Sequence, residues 1–361
     1  MPDVGIVMPV YHQRKDILRA AIRSISRQTY KNYKMIIVID GITPGVLRVV
    51  RREARRNKRI QVVAYRQNRG TANALNVGFD ILKKNPQIKY LTWVASDNIY
   101  YRNFIRILRR HLVRGPATLG LVYSNMRLIR SNGTFIHTSR RWQNRPKEIL
   151  LDYNFILGSF LYKKEYAIAT GDYQHTPVED YDYWLRLTEL CNIKYIPRAL
   201  VSYRMFGPKS NSIKIRNNLG LYRHNRYQFH LVKHLARMRR GIPPETMVIL
   251  PVTDNTANPI GKLEAMLEQD YSNFFLLVVN SSSDSQTLQA LQQIPDSRLH
   301  VISSPVVGEQ ELIQLATTYL QTRFIYLHDK NIQLEKYQLE NVIGTARIMY
   351  PQTETPVLLR D

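Results

Sequence analysis

The sequence predicts an α/β protein: a sheet flanked by helices, followed by a second, shorter α/β half-domain. Three observations carry that expectation. Short apolar runs alternate with stretches whose apolar residues recur at helical spacing over residues 4–96, the pattern of strand–helix units around a parallel sheet. Tyr11, Asp40 and Asp97 fall at or just past the ends of three of those runs, where open α/β sheets bind their ligands. The same pattern then returns after residue 245, in the same order.

The run "VGIVMPV" (4–10) is continuously apolar and is expected to form a buried strand. Over 15–28, Ile17, Leu18, Ala21, Ile22 and Ile25 share one face of a helix. "KMIIVID" (34–40) is the second strand and ends in Asp40, just before Gly41. A helix with a basic face is expected over 44–57, a third strand over 60–65, a helix over 71–84 and a fourth strand over 90–96. Residues 214–240 contain no acid and read as a basic, aromatic-bearing helical connector. The paired prolines of "GIPPE" (241–245) then disfavour helix continuation. The expected organisation is a first domain over 1–213, the connector over 214–244 and a repeat domain over 245–361.

The repeat is visible segment by segment. "VILPVTD" (248–254) echoes "IVMPVYH" (6–12). "EAMLEQDYSNFFLLVVNS" (264–281) echoes "RSISRQTYKNYKMIIVIDG" (23–41) and keeps its Gln-x-Tyr-x-Asn core. "VGEQELIQLATTYL" (307–320) echoes "RGTANALNVGFDIL" (69–82), and "FIYLHDKNI" (324–332) echoes "LTWVASDNI" (91–99). So long a period is not that of a solenoid; it points to a duplicated half-domain.

Charge is unevenly placed in a chain of net charge +24. Residues 241–361 hold 7 Lys/Arg and 14 Asp/Glu, and residues 1–240 the other 45 and 14. Such a basic half attracts polyanions: nucleic acid, anionic lipid, a phosphorylated polymer or a nucleotide. Cys191 is the only cysteine, which excludes an internal disulfide and a cysteine-based metal cluster. No apolar run approaches the roughly 18 residues of a membrane span, and the N-terminal residues do not read as a secretory signal. A cytoplasmic protein is expected, with peripheral contact at the inner face of the membrane.

The segments "MPVYHQRKDILRAAIRSISRQTYKNYKMIIVIDG", "NRGTANALN", "WVASDNIY", "GSFLYKK" and "EDYDYWLRL" are spread in this order over residues 4–205. Together they resemble the inverting glycosyltransferases of family 2, and within them the spore-coat polysaccharide synthesis type. The resemblance implies a GT-A fold, a Rossmann-like mixed sheet flanked by helices, with a degenerate GT-A-like half-domain after it. It implies transfer of a sugar from a UDP- or dTDP-linked donor to a hydroxyl of a polysaccharide or glycolipid acceptor. A divalent ion, Mn²⁺ or Mg²⁺, would neutralise the diphosphate leaving group.

Carried over residue by residue, Asp97 matches the metal-binding acid, and Ser96 replaces the acid that often precedes it. One carboxylate can suffice where phosphates and water complete the shell. Asp40 matches the acid that accepts a hydrogen bond from the base, with Ile39 where a second acid often stands. Pro9 and Tyr11 match the loop lining the base, and Arg69 the basic residue near uridine or diphosphate. Asp180 matches the general base, which removes the acceptor hydroxyl proton as that oxygen attacks. Glu179 is its neighbour, Gly158 and Ser159 match an acceptor-side loop, and Trp184 is read as helix packing ahead of a sugar platform.

Two departures surround the metal: Ser96, and the residues after Tyr203-Arg204, where family members often carry a histidine and this chain has Met205, Phe206 and Gly207. Either phosphates and Asp97 hold the ion, or Arg204 and Lys209 supply part of the charge, or the enzyme is impaired and serves as a nucleotide-sugar or glycan binding scaffold. In the second copy Ser281 stands for Asp40, Val307 for Arg69 and Lys330, next to Asp329, for Asp97. That copy is expected to be non-catalytic and to serve packing, dimerisation or acceptor docking. A nucleic-acid partner is not expected, since no recognised nucleic-acid motif accompanies the charge.

Overall fold

The computed structural model describes residues 1–139, 144–205, 211–305, 308–328, 334–353 and 355–360. The chain divides into two compact units, Met1–Asn218 and Leu219–Asp361. The first begins with β1 (Val4–Val10), α1 (Lys15–Ser26), β2 (Tyr33–Asp40), α2 (Pro44–Arg55), β3 (Ile60–Tyr65), α3 (Thr71–Lys83) and β4 (Tyr90–Trp93). It continues with β5 (Ile99–Tyr100), α4 (Phe104–Arg114), β6 (Leu119–Ile129), β7 (Phe135–Thr138), β8 (Phe160–Lys163), α5 (Lys164–Thr170), α6 (Glu179–Leu190), β9 (Asn192–Arg204) and α7 (Asn211–Arg216).

The sheet runs β3-β2-β1-β4-β8-β6-β9-β5, with β7 added on β6. β3, β2, β1 and β4 are mutually parallel, and β8 runs antiparallel to β4 and β6. Alternation along β1 distributes its side chains to two faces. Ile6, Met8 and Val10 join Leu18, Ile22 and Ile25 of α1, Val49 and Val50 of α2 and Leu108 of α4 in one core. Val7 points the other way, against α3, where a Cβ on Gly78 would lie 2.5 Å from its Cγ1. β4 is shorter than the 90–96 expected from sequence. Val94 N still bonds Val7 O (2.9 Å), but Ala95 N turns to the Tyr100 hydroxyl (2.9 Å), so the ladder ends and the Asp97 turn begins.

The second unit holds α8 (Leu219–Arg239), β10 (Thr246–Val252), α9 (Pro259–Leu267), β11 (Phe274–Asn280), α10 (Ser285–Gln292), β12 (Leu299–Ser303), α11 (Glu309–Tyr319), β13 (Phe324–Leu327), α12 (Gln338–Met349) and β14 (Val357–Arg360). Its parallel sheet runs β12-β11-β10-β13-β14, so its first four strands repeat the β3-β2-β1-β4 order. The shared Gln-x-Tyr-x-Asn motif has a structural reason in both copies. Gln28 donates to Tyr101 O (2.8 Å) and accepts from Ile105 N (3.1 Å), which fixes the start of α4. Gln269 does the same with Glu335 O (2.7 Å) and Leu339 N (3.0 Å) at α12. Tyr30 donates to Asp3 and Tyr271 to Glu245, and the carbonyls of Asn32 and Asn273 accept from Asp3 N and Glu245 N, 3.0 Å each.

These matched bonds also set the alignment of the loops between them. Val94 and His328 bond the same strand position, Val7 O and Ile249 O, while Tyr101 and Glu335 face the two glutamines. The intervals are of equal length, so by count Asn331, not Lys330, is the counterpart of Asp97, and Lys330 falls against Ser96. Asp329, Lys330, Asn331 and Val307 themselves lie outside the described residues.

The basic stretch expected to connect the domains is mostly α8, and α8 belongs to the second unit. Arg226 is buried and pairs with Glu264 of α9 and with Glu268 just after it, and Arg223 pairs with Glu264 (2.7 Å). Part of the positive charge of this stretch is therefore neutralised by the acidic repeat. Among the described residues no helix is long and apolar enough to cross a membrane.

Candidate active site

The expected site residues gather past the ends of β1, β2 and β4. Pro9 sits within β1 opposite Val38 of β2. Tyr11, just beyond, is 48% exposed, and its ring meets His12 edge-on with centroids 4.2 Å apart. Gly41 follows Asp40 with φ +91°, and a Cβ there would stand 3.0 Å from the Tyr11 ring. Glycine both adopts the left-handed backbone and leaves the aromatic room.

Asp40 is buried at the end of β2. Its two carboxylate oxygens accept the backbone N–H groups of Arg69 (2.6 Å) and Gly70 (2.9 Å), which order the turn into α3. Each oxygen retains acceptor capacity for a ligand N–H. The Arg69 guanidinium lies 5.2 Å over the Tyr65 ring. Burial and the neighbouring Asp40 carboxylate push the Tyr65 phenol up to about 12.

Asp97 lies in the turn between β4 and β5, and burial raises its carboxyl above the usual carboxylate range, against the pull of the Arg204 charge. That arginine does not present its guanidinium to the site. Nε donates to Asp97 O (3.1 Å), and Nη1 donates to Arg130 O (3.2 Å) and Ser131 O (2.7 Å), so Arg204 staples the Asp97 turn to the β6–β7 turn. Asn98 completes the staple by accepting from Arg204 N (2.9 Å), while its buried Nδ2 has no well-formed hydrogen bond. Lys209, the other cation expected here, lies outside the described residues, as do Phe206 and Gly207.

Asp180 stands in the first turn of α6, where one oxygen accepts the Tyr181 N–H (2.7 Å). Burial pushes its carboxyl up to about 6. Glu179 is pushed to about 7, first by burial and then by the charge of Asp180, and its Oε2 is buried without a partner among the described residues. Tyr203 stands at the end of β9, next to Arg204. Its phenol rises to about 12, mainly through burial and then through the charges of Asp97 and Asp180. A Cβ on Gly158 would lie 3.4 Å from the Tyr203 ring and 3.6 Å from Asn98 Nδ2, so Gly158 stands beside both residues.

Two expected residues do not face this space. The Ser159 hydroxyl is buried and paired with the Ser124 hydroxyl of β6 (2.6 Å). Trp184 is fully buried in an aromatic core, edge-on to Phe160 at 4.5 Å, and is no sugar platform. Its helix is held instead through Asp182, which pairs with Arg186 (2.6 Å), and Arg186 in turn donates to Thr170 O and Asp172 O.

Residues 5–171, from β1 through α5 and so spanning all these strand ends, match the family model "Glycosyl transferase family 2". The first unit belongs to glycosyltransferase family 2. A Haemophilus influenzae protein named as an uncharacterized glycosyltransferase is 26% identical over 228 residues, 59% of this chain and 68% of that protein. One of the same description from Rickettsia bellii is 24% identical over 333 residues, 78% of this chain, which spans 46% of its length. The crystal structure of S. aureus TarS in complex with UDP-GlcNAc superposes with TM-score 0.50 over 66% of each chain at 14% identity, a likeness of fold. The family 2 unit thus has the GT-A architecture, with a second sheet following it.

In this family 2 unit, sequence reasoning missed Tyr65, Asn98 and Tyr203. Asn98 stands next to Asp97 and Tyr203 next to Arg204, so position along the chain was the one available signal; their burial against the acids was not.

Proposed function

We propose that the first unit is an inverting glycosyltransferase that moves a sugar from a UDP- or dTDP-linked donor to a hydroxyl of a polysaccharide or glycolipid. The observation that carries this reading is the gathering of Tyr11, Asp40 and Asp97 at or past the ends of parallel strands within the stretch that matches the family 2 model, with Asp180 in the first turn of α6 after it. In its charged form Asp180 removes the acceptor hydroxyl proton as that oxygen attacks the sugar carbon. Pro9, Tyr11 and Asp40 receive the base and Arg69 the uridine or diphosphate.

A divalent Mn²⁺ or Mg²⁺ ion fits one part of the site and not a self-contained protein cage. Among the described residues no group of three His, Cys, Asp or Glu could hold a metal. Asp97 would be the protein ligand, with Ser96 beside it and donor phosphates supplying further oxygens. When bound, the ion neutralises charge on the leaving diphosphate. Arg204 keeps the Asp97 turn in position, and its guanidinium is committed to three backbone carbonyls.

That commitment also favours a second reading, a catalytically impaired scaffold that binds nucleotide sugar or glycan, because Arg204 does not replace the missing acid or histidine. Turnover of donor sugar separates the two, and calorimetric titration with UDP and dTDP, with and without Mn²⁺, on wild type and Asp97→Ala tests the metal role. Metal-dependent nucleotide binding that drops about tenfold or more in the variant is expected, in line with loss of a metal ligand. Binding indifferent to Mn²⁺ would remove the metal role.

A further inference from the structure

The helices α1, α2 and α4 pack on one side of the first sheet, and their outward surface is rich in arginine. Arg48, Arg51, Arg52 and Arg55 of α2 are exposed and have no acidic partner among the described residues. The only acid of α2, Glu53, is buried and engaged by Arg23 and Arg56. Two cavities open on this surface. One of about 660 Å³ is lined by Pro44, Leu47 and the α2 arginines. The other, about 930 Å³, includes Arg19, Arg27 and Arg102 together with Asp16, Tyr100 and Tyr101. Neither contains a residue of the candidate active site.

We propose that the outer face of α1 and α2 docks this unit on a membrane bearing anionic phospholipid headgroups. The arginines of α2 are distributed along a helix of 12 residues, about 18 Å, which matches an array of phosphates rather than one ion. Guanidinium groups suit phosphodiester oxygens and are weakly hydrated. Basic side chains near an anionic surface add their attractions, and four unpaired arginines on one helix act together toward reversible attachment. The lining of the α2 cavity holds no aromatic ring on which a base would stack, the usual companion of single-strand binding. It holds Pro44 and Leu47 instead, and Ile42 just before α2 is exposed, apolar contacts that suit a headgroup boundary.

Flotation of the full chain with phosphatidylcholine vesicles, with and without phosphatidylglycerol, tests this. Binding is expected only to the anionic vesicles and should fall as salt is raised. Arg51→Glu/Arg55→Glu should weaken it about tenfold or more, and Arg51→Gln/Arg55→Gln should give a smaller loss. Lys84→Glu/Lys89→Glu, an equal charge change at exposed positions off α1 and α2, should stay within about twofold of wild type. Equal binding to neutral vesicles, or equal losses in the two Glu variants, would overturn the proposal. So would duplex or single-stranded DNA that displaces the anionic vesicles and needs the same two arginines.

Discussion

Glu179 and Asp180 are adjacent acids whose carboxyls are both pushed upward by burial, to about 7 and about 6. The folded state therefore holds their protons more tightly than the unfolded chain does. By linkage, stability is full below the ordinary carboxylate pKa and is lost as pH rises through 6 to 7. Glu179→Gln removes part of that loss. The variant is expected to be more stable than wild type by on the order of 1–3 kcal/mol at pH 8, with the gain vanishing near pH 4. Urea unfolding at the two pH values measures this; a gain that does not depend on pH would show that Glu179 is not a buried acid. At this scale the sequence was informative about identity and silent about orientation. Asp97, Asp180, Asp40 and Gly158 could be named from motifs, but Ser159 and Trp184 lie in the same motifs and turn into the core. Whether a side chain faces the site depends on partners far along the chain, as Ser159 depends on Ser124.

At the scale of elements, the conserved cadence of the two copies rests on support rather than chemistry. Gln28 and Gln269 each bridge the helix after the first strand of their copy to the helix after the fourth. Replacing either by Ala strands a buried N–H and carbonyl, at about 1–3 kcal/mol. Hydrogen exchange should accelerate at Ile105 in Gln28→Ala and at Leu339 in Gln269→Ala, each variant leaving the other unit's amide protected. Acceleration at neither amide would show that these bonds carry no load. The strand–helix alternation of residues 4–93 was legible because apolar periodicity reports burial directly. The end of β4 was not, since "YLTWVAS" stays apolar past the point where Ala95 N leaves the ladder for Tyr100. Nor was the join of β8, β6 and β9, whose pairings depend on contacts distant in sequence.

For the whole molecule, the charge division between the halves has two different outlets. Arg223 and Arg226 of α8 pair with Glu264 and Glu268 inside the second unit, whereas the arginines of α2 remain on the surface of the first. Net charge by segment could be counted from sequence, but not which cations were already satisfied; that is why α8 read as a connector. The repeat places the same strand order in both units, yet the second carries Ser281 for Asp40 and, by count, Asn331 for Asp97. The proposed chemistry therefore rests on the first unit, and within it on Asp180 as the proposed base. The most direct test is the pH profile of donor-sugar turnover for wild type and Asp180→Asn, with Glu179→Gln as the control for folding. Wild-type kcat/KM should rise about tenfold per pH unit up to about 6 and level off above about 7 as Asp180 loses its proton. Asp180→Asn should lose about 10²–10⁴ of the plateau rate. A variant that keeps the wild-type rate and the same pH profile would contradict the assignment of Asp180 as the base.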